Sequence, residues 1–346
     1  MNFSKFFHNR IYNIVILLVT ITLITGCSTK NNITTNNQTS VSKDVTPTTV
    51  TNPSSSLGEN DNIITTSPDK IDDTTDKGSL AKTMTKENYP TVDGSTATIP
   101  LSAAVYRFIT GATKEEADAN IVHTKTTNSY LSLIDGKVDL LIVYEPSQAV
   151  YDALETSEVK LNMKPIGKDA LVFLANEANP VSSLTSDELI KIYNGTITNW
   201  SKVGGSDKEI IAFQRPEDSG SQTLMKKLVM KDIKMMEAPK NMRPIEMDDI
   251  IVTLANYSND SNALGYSVYY YTNNMFSQPG LRYMAINDVL PTKDTIQDNT
   301  YPYVNEFYAV IREDEPIDSN AHKIFDWLSS FEGQTLVDKL GYVPIK

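Results

Sequence analysis

Arg215 and the small hydroxyl residues that follow it, Ser219, Ser221 and Thr223, have the composition of an anion-binding turn. They come between the strand-like apolar run at residues 210–213 and a helical pattern. The first turn of a helix has N–H groups without partners and carries partial positive charge, and nearby hydroxyls add donors. The planar guanidinium of an arginine binds two oxygens at once. Spacing alone leaves one alternative open, a capped helix with a surface arginine.

Two further hydroxyl-rich turns precede predicted helices. Residues 94–98 (GSTAT) lead from a short strand into a helix with apolar residues at helical spacing from Leu101 to Phe108. Residues 124–127 (TKTT) precede the next helix, although threonines often simply cap a helix and Lys125 is interpreted as solvated. Ligands of open α/β sheets collect at the carboxyl ends of strands, where helix N-termini converge. We therefore expect such turns to face each other across a cleft.

An enzymatic interpretation needs a general base beside Ser219 or Ser221. The histidines of the sequence are His8, His123 and His322. His8 lies in an N-terminal targeting pattern and His322 in a helical pattern, so only His123, which precedes a hydroxyl-rich turn, could approach the cleft. The sequence has no His and Cys at metal-ligand spacing. We predict binding without catalysis, and neither a metal nor a cofactor.

The net charge of −12 argues against nucleic acid and against adhesion to anionic lipid surfaces. It does not exclude an anionic ligand. A buried anion is held by local amide dipoles and one positive side chain, so the field of the site matters more than the total charge.

The N-terminal residues predict a lipoprotein signal peptide, residues 1–26. Positive residues up to Arg10 precede an apolar run at residues 11–24, which is too short to span a bilayer comfortably. Small residues then precede Cys27, the only cysteine, as at a lipoprotein cleavage site. We expect lipidation of Cys27, an extracytoplasmic location at the cell membrane, and no intramolecular disulfide.

Residues 27–85 are predicted to form a disordered linker behind the lipidated cysteine. From Ser28 the segment is dominated by Thr, Ser, Asn and Asp and has no Phe, Tyr or Trp. Such a composition cannot bury enough apolar surface to offset its conformational entropy. Residues 86–346 have mixed helix and strand patterns and are predicted to be globular, as one two-lobed unit or two small domains.

Strand and helix patterns alternate within this domain, which is typical of an α/β fold. Continuous apolar runs predict buried strands at residues 139–144, 169–175 and 210–213. Residues 186–193 have acidic residues in the first turn and Gly195 just past the end, so a helix is predicted there. Pro100 suits the first turn of an earlier helix, for which Thr98 is the expected cap.

Five motifs in order make the chain, from about Tyr89 to its C-terminus, resemble the phosphate-binding lipoproteins of ABC importers, the PstS-like substrate-binding proteins. The motifs are residues 93–100 (DGSTATIP), 197–200 (ITNW) with 203–205 (VGG), Arg215 with 219–221 (SGS), 263–266 (ALGY) and 341–344 (GYVP). Each motif alone is weak, whereas five in the same order are specific.

The resemblance implies a two-lobed class II periplasmic-binding-protein clamp. Each lobe would have a mixed, mainly parallel sheet flanked by helices, and a two-strand hinge would cross near residues 167–169 and 262–265. Lobe 1 would comprise residues 86–168 and 264–346, and lobe 2 residues 169–263. The aromatic stretch at residues 266–271 is expected to pack at the hinge rather than to stack on a sugar, because consecutive side chains point in different directions.

The resemblance also implies the ligand contacts. Arg215 would pair with the anion, the turn after it would offer hydroxyl or amide donors, and Thr98 and Ile99 would donate from the opposite lobe. A hydroxyl before the second helix binds in the family, and Thr124, Thr126 and Thr127 stay open for that role. The candidate ligand-binding residues are Ser95, Thr96, Thr98, Ile99, Thr124, Thr126, Glu145, Arg215, Ser219, Gly220 and Ser221.

The chain departs from the family at the end of the strand predicted at residues 139–144. The family usually keeps an aspartate there, which accepts the proton of hydrogen phosphate and so excludes sulfate. That position falls on Tyr144, with Glu145 next. A one-residue offset in a strand reverses the face to which a side chain points. Glu145 therefore replaces the acceptor only if the strand has already ended.

Together with these observations, the resemblance implies the extracytoplasmic solute-binding component of an ABC importer, which would bind inorganic phosphate in the cleft between the lobes. The alternatives are another oxyanion such as sulfate on the same fold, or a surface lipoprotein used for sensing or adhesion without transport. The expected partners are phosphate or a related oxyanion and the ABC permease subunits. The chain is expected to be a monomer, attached to the membrane only through its lipid.

Overall fold

The structure, a computed structural model, describes residue 80 and residues 83–237, 251, 254 and 262–345. They all belong to one unit of the chain, residues 64–346. The predicted signal peptide, Cys27 and most of the predicted linker lie outside the described residues.

The described residues alternate between strands and helices, so the predicted α/β class is confirmed. The strands are β1 (Val92–Gly94), β2 (Leu140–Val143), β3 (Leu161–Asn176), β4 (Ser183–Leu184), β5 (Ile211–Ala212), β6 (Ala263–Val268), β7 (Leu281–Tyr283), β8 (Ala285–Ile286) and β9 (Val304–Arg312). The α-helices are α1 (Ile99–Thr110), α2 (Lys114–Asn120), α3 (Thr126–Ile134), α4 (Gln148–Ser157), α5 (Ser186–Tyr193), α6 (Gly220–Leu224), α7 (Lys293–Gln297), α8 (Asn320–Trp327) and α9 (Phe331–Lys339). None of these described helices is both long and apolar enough to cross a membrane.

The long strand β3 organises the sheet. From Leu161 to Ala170 it pairs antiparallel with β9, and from Leu171 to Asn176 it pairs antiparallel with β6 and β7. The resulting seven-stranded sheet has the order β1-β2-β9-β3-β6-β5, with β7 also on β3. The partner of β3 thus changes close to the predicted crossing at residues 167–169. The lobe boundaries themselves stay a prediction.

The sheet is mixed, and its parallel pairs lie at its two ends. β1 is parallel to β2 and β5 is parallel to β6, whereas the ladders of β9 with β2 and β3, and of β3 with β6, are antiparallel. Helices separate the two strands of each parallel pair, as a parallel crossover requires. The expected predominance of parallel pairing therefore holds only for the outer strands.

Local sequence signals set the helix boundaries near the site. The observed α5 has the predicted range and starts with a capping box, in which the Thr185 hydroxyl accepts from the amide of Glu188 at 3.1 Å. α1 has Pro100 in its first turn, but the side chain of Thr98 makes no capping hydrogen bond. Thr98 occupies the N-cap position as predicted, but its hydroxyl donates to the carbonyl of Ile142 at 2.5 Å instead of capping the helix.

The main hydrophobic core lies against β3 and β6. Phe173 on β3 packs against Tyr266 on β6, with ring centroids 6.1 Å apart. Leu80 and Met84, which the sequence assigns to the linker, are buried in the same core, with 8% and 3% of their surface exposed. The composition of a mainly polar stretch does not reveal that single apolar residues within it are buried. The packed domain therefore begins before residue 86.

The tyrosines at residues 269–271 pack inside the protein rather than form an exposed platform. Tyr270 stacks on Tyr342 with ring centroids 3.4 Å apart, and its hydroxyl donates to the carbonyl of Leu340. The hydroxyl of Tyr342 donates to the carbonyl of Ala97 at 2.7 Å. The C-terminal motif is therefore tied to the turn after β1.

Candidate anion-binding site

A small cavity lies where four chain segments meet: the turn after β1, the start of α3, the residue after β2, and the turn from β5 into α6. It is lined by Ser95, Thr96, Lys125, Thr126, Tyr144, Arg215, Ser219, Gly220 and Ser221. Its volume of about 20 Å³ is close to the minimum for one water, ~10–15 Å³, so the site suits only a small solute.

A larger cavity of about 400 Å³ lies beside α6. It is lined by residues 230–237 together with Gln214, Glu217, Gln222 and Lys226. None of the predicted ligand residues lines it. The smaller cavity is therefore the candidate site.

Arg215 is the charged side chain that the fold buries most deeply at this cavity, with 3% of its surface exposed. Its backbone amide donates to the hydroxyl of Tyr266 at 3.1 Å, and that hydroxyl donates to the side chain of Gln222. Its Nε lies 3.5 Å from Oγ of Ser219. The backbone is thus held from β6 and the guanidinium is directed along the cavity wall. A guanidinium can bind two oxygens of an anionic ligand through parallel hydrogen bonds.

Ser219 is the N-cap residue of α6, but its side chain makes no capping bond. Its hydroxyl lies 2.9 Å from that of Ser221, and both side chains are buried. The amides of Gln222 and Thr223 donate to the carbonyl of Ser219, which closes the first turn. The two serine hydroxyls are therefore oriented together beside Arg215.

Ser95 connects the other three segments. Its Oγ lies 2.8 Å from Oγ1 of Thr126 and accepts a hydrogen bond from the amide of Tyr144 at 3.1 Å. Ser95 and Thr126 are each 2% exposed. This network places hydroxyl groups on the wall opposite Arg215.

Gly220 brings the two walls into contact. A Cβ at this glycine would lie 2.5 Å from Oγ1 of Thr126 and 3.5 Å from Cδ2 of Tyr144. The absence of a side chain at Gly220 thus allows α6 to approach both the start of α3 and the ring edge of Tyr144.

Lys125 and Tyr144 line the cavity although sequence analysis did not place them among the ligand residues. The sequence predicts a solvated Lys125, whereas the structure places it half-buried at the cavity. Its backbone has φ 75° and ψ 163°, a conformation that is rare outside glycine. That conformation directs the turn so that Lys125 adds a second cation to Arg215. The sequence signal that could have identified Lys125 as a site residue is the presence of a lysine within a hydroxyl-rich turn.

Tyr144 is backed by a buried carboxylate. Its hydroxyl donates to Oδ2 of Asp169 at 2.5 Å, and Oδ1 of Asp169 accepts from the amides of Ala170 and Tyr270 at 2.7 and 3.0 Å. Burial raises the pKa of Asp169 to about 6, although these hydrogen bonds oppose the increase. Burial, with the Asp169 charge adding to it, also raises the pKa of Tyr144, so its hydroxyl stays a neutral donor.

Thr98 and Ile99 lie outside the lining. The Thr98 hydroxyl donates to the carbonyls of Ile142 and Ser95, and its amide also donates to Ser95. The amide of Ile99 donates to the carbonyl of Thr96. Both residues shape the turn that presents Ser95 and Thr96.

Thr124, Thr127 and Glu145 also lie outside the lining. The amide and hydroxyl of Thr124 donate to the carboxylate of Asp93, and the hydroxyl of Thr127 lies 3.0 Å from that of Ser147. Glu145 accepts from Lys227. Of the three threonines that the sequence left open, the structure places Thr126 at the cavity.

His123 approaches this region from behind the turn. Its Nδ1 lies 2.8 Å from the carbonyl of Ser95, and burial lowers its pKa. It is not part of the lining. Within the part of the chain that the structure describes, no group of three or more neighbouring His, Cys, Asp or Glu could hold a metal.

The chain is similar to known binding proteins in sequence. Residues 80–331 match the model of the PBP superfamily domain. The phosphate-binding protein PstS of Borreliella burgdorferi is 29% identical over 183 residues, which are 51% of this chain and 64% of that protein. Protein SphX of Synechococcus elongatus is 23% identical over 266 residues, 74% of this chain and 77% of that protein. The matches with the first three PstS relatives span about three-fifths of their length.

Solved structures show the same fold. A substrate-binding protein with bound phosphate from Clostridium perfringens has a TM-score of 0.58 and 20% identity, covering 74% of this chain and 98% of that chain. An ABC-type phosphate transport receptor from Vibrio cholerae has a TM-score of 0.55 and 22% identity, covering 73% and 98%. These relatives are binding proteins rather than enzymes. This agrees with the prediction that the chain binds a ligand without catalysis. The family match covers most of the described domain, and the chain therefore belongs to the PBP superfamily.

Proposed function

We propose that this protein binds inorganic phosphate in the small cavity. The observation that carries the proposal is the burial of Arg215 beside Ser219 and Ser221, opposite Ser95 and Thr126. Two cations and several hydroxyls around a space for a small solute match a tetrahedral oxyanion. The phosphate-binding proteins among the relatives support phosphate as that oxyanion.

Arg215 binds two oxygens of the ion through its guanidinium, and Lys125 contributes a second positive charge. The hydroxyls of Ser95, Thr96, Thr126, Ser219 and Ser221 and the first amides of α6 supply the remaining donors. Each hydrogen bond to a charged group contributes about 1.5–3 kcal/mol. Several together reach micromolar affinity, about −8 kcal/mol, despite the desolvation of the ion.

We further propose that the cavity is the cleft between two lobes, residues 86–168 with 264–346 and residues 169–263. The lining supports this division, because Ser95 to Tyr144 fall in the first lobe and Arg215 to Ser221 in the second. Ligand binding then draws the lobes together, and the closed form is the one that a membrane permease recognises.

In the cell, the chain acts as the substrate-binding subunit of an ABC importer, as a monomer anchored at the extracytoplasmic face through lipidated Cys27. Incorporation of labelled palmitate tests the anchor, and Cys27→Ala abolishes it. Phosphate uptake by cells that lack the protein tests transport. Normal uptake together with tight phosphate binding would assign the protein to sensing.

Calorimetric titration with phosphate tests the proposed ligand. Arg215→Ala removes a buried charged contact and lowers the affinity by at least about 100-fold, or ~3 kcal/mol. Arg215→Lys keeps the charge but loses the planar fork, and gives an intermediate loss. Lys202→Ala, at an exposed position outside the lining, is the matched control and binds like the wild type. Equal affinity of Arg215→Ala and wild type removes Arg215 from the site.

A further inference from the structure

The buried carboxylate of Asp169 lies at the point where the sheet changes partners. Asp169 precedes Ala170, the last residue of β3 in the ladder with β9, and from Leu171 onwards β3 pairs with β6 instead. Leu171 is paired with Val268, the last residue of β6. We call residues 169–171 with residues 268–270 the β3–β6 junction. The side chain of Asp169 is therefore placed where both strands can contact it.

The two oxygens of Asp169 contact different parts of the molecule. Oδ1 accepts from the amide of Tyr270, two residues past the end of β6, at 3.0 Å. Oδ2 accepts from the hydroxyl of Tyr144, which lines the cavity, at 2.5 Å. Hydrogen bonds to an ionised carboxylate are short and about twice as strong as neutral ones. One carboxylate thus joins the β3–β6 junction to the cavity wall.

A second connection leads from the same junction to the cavity. Tyr270 stacks on Tyr342 with ring centroids 3.4 Å apart, and the hydroxyl of Tyr342 donates to the carbonyl of Ala97 at 2.7 Å. Ala97 belongs to the turn that presents Ser95 and Thr96 to the cavity. A displacement at Tyr270 therefore reaches the cavity by two routes, and Asp169 is the ionisable group on one of them.

The groups that face Asp169 from the surrounding elements are mainly tyrosines. They are Tyr144, Tyr269, Tyr270, Tyr283 and Tyr342. Burial, with the charge of Asp169 adding to it, raises the pKa of each, so they stay neutral where Asp169 titrates. Across the ladder Asp169 is paired with the neutral Asn305, and the adjacent Lys168 donates to the carbonyl of Gln297. Burial raises the pKa of Asp169 itself to about 6.

An anion in the cavity changes the balance between the two forms of this carboxyl. It brings negative charge next to Tyr144, and a nearby like charge disfavours the ionised form of Asp169. Binding of the anion therefore favours uptake of a proton. The protonated carboxyl keeps its contact with Tyr144, because its O–H donates and the phenol oxygen accepts.

We propose that Asp169 is a positioning residue that couples the cavity to the β3–β6 junction through Tyr144, and that this carboxyl takes up a proton when the protein binds its anion. The protein then binds its ligand more tightly in mildly acidic solution than the same fold without this carboxyl. The proposal rests on the proposed function of the same cavity and adds its regulation by pH.

Calorimetric titrations with phosphate from pH 5 to pH 8 test the proposal on the wild type and on Asp169→Asn, which has no proton to take up. The ionisation of phosphate affects both proteins alike, so the ratio of their affinities isolates Asp169. We expect the affinity of the wild type, relative to the variant, to fall at least about threefold as the pH rises over this range. Asp318→Asn, at an exposed position, should keep the wild-type profile.

Titrations near pH 6.5 in two buffers of different ionisation enthalpy count the protons directly. The wild type should take up more protons per bound phosphate than Asp169→Asn. A ratio of affinities that stays constant or rises with pH, together with equal proton uptake, overturns the proposal and leaves the proposed function intact. A folded wild-type protein that does not bind phosphate overturns the proposed function, and the proposal with it.

Tyr144→Phe tests the route, because it keeps the ring and removes the hydroxyl that donates to Asp169. Asp169→Asn should change the phosphate affinity less in this background than in the wild type, and equal changes in the two backgrounds would exclude Tyr144 as the link. If Asp169→Asn does not fold, the carboxyl carbon resonance of Asp169 in the wild type decides. Its titration midpoint should lie at higher pH with phosphate than without, and an equal or lower midpoint overturns the proposal.

Discussion

Gly220 and Thr126 approach so closely that a methyl group on the glycine would lie 2.5 Å from the threonine Oγ1. Gly220 starts α6 and Thr126 starts α3, so the two residues join opposite walls of the cavity. The glycine is required for space, because the adjacent hydroxyl is itself fixed by Ser95 at 2.8 Å. This contact makes the separation of the walls sensitive to a single methyl group.

Gly220→Ala is therefore expected to weaken phosphate binding by at least about tenfold, since a real Cβ would force α6 away from Thr126. The double variant Gly220→Ala/Thr126→Ala removes the clashing oxygen, because Cβ of Thr126 lies 3.5 Å from the new methyl position. Its thermal midpoint should recover relative to Gly220→Ala, whereas its affinity should stay low because the Thr126 hydroxyl is missing. Calorimetry and thermal unfolding measure the two effects, and wild-type affinity in Gly220→Ala would contradict the tight approach.

A second prediction separates Thr126 from Thr98. Thr126→Val keeps the shape and removes a hydroxyl that lines the cavity, so it should lower phosphate affinity about tenfold with a small change in stability. Thr98→Val removes a buried hydroxyl that donates to Ile142 and Ser95, and should reduce the free energy of unfolding by about 1–3 kcal/mol. Urea unfolding and titration with phosphate, carried out on both variants, measure the split. The reverse pattern would assign ligand contact to Thr98, as the sequence resemblance implies.

These two threonines show what sequence patterns could and could not predict. Helix α5 depends on residues that are close in sequence, since Thr185 and Glu188 form its capping box, and it was therefore predictable. The Arg215 turn is likewise a local pattern and was predictable. The side chain of Thr98 instead bonds to Ile142, 44 residues away, so its direction depends on tertiary structure.

The position of the Tyr144 side chain at the cavity could not be predicted for a similar reason. Its hydroxyl is held by Asp169, which lies on a different strand. The strand β2 ends at Val143, so alternation along the strand no longer determines the direction of Tyr144 and Glu145. Only the structure shows that the tyrosine lines the cavity and that Glu145 pairs with Lys227.

The ion pair between Glu145 and Lys227 is expected to slow ligand release. Glu145 follows Tyr144 on one wall, and Lys227 lies in the helical turn that continues α6 on the other. Lys227→Met should raise the dissociation rate of phosphate a few-fold at low salt, with a smaller effect at high salt, because the lysine is 53% exposed and its charge is screened. Stopped-flow release measures the rate.

Lys226→Met is the matched control for this prediction. Lys226 pairs with Glu217, which belongs to the same wall, so its loss should leave the release rate unchanged. Equal effects of the two lysine variants at low salt would show that general surface charge, and not the pair across the cavity, controls release.

Asp169 should make the stability of the fold depend on pH. Burial raises the pKa of its carboxyl from the ordinary value of 3.8 to about 6, so the folded chain binds this proton more tightly than the unfolded chain. The stabilising contribution of the proton is complete below about pH 4 and is lost as the pH rises through about 6. The difference between the two values corresponds to about 3 kcal/mol. Asp169→Asn does not titrate, so its unfolding free energy relative to wild type should increase by most of that amount, about 2 kcal/mol, between pH 4 and pH 7.

Urea unfolding at several pH values measures this difference, and Asp318→Asn, at an exposed position, supplies the control. The comparison uses the change with pH and not the absolute stability, because the asparagine also alters the hydrogen bonds with Tyr144 and Tyr270. A difference between Asp169→Asn and wild type that stays constant from pH 4 to pH 7 would mean that Asp169 titrates alike in the folded and unfolded chains. In that case the hydrogen bonds from the hydroxyl of Tyr144 and from the amides of Ala170 and Tyr270 would fully offset the desolvation of the buried carboxylate.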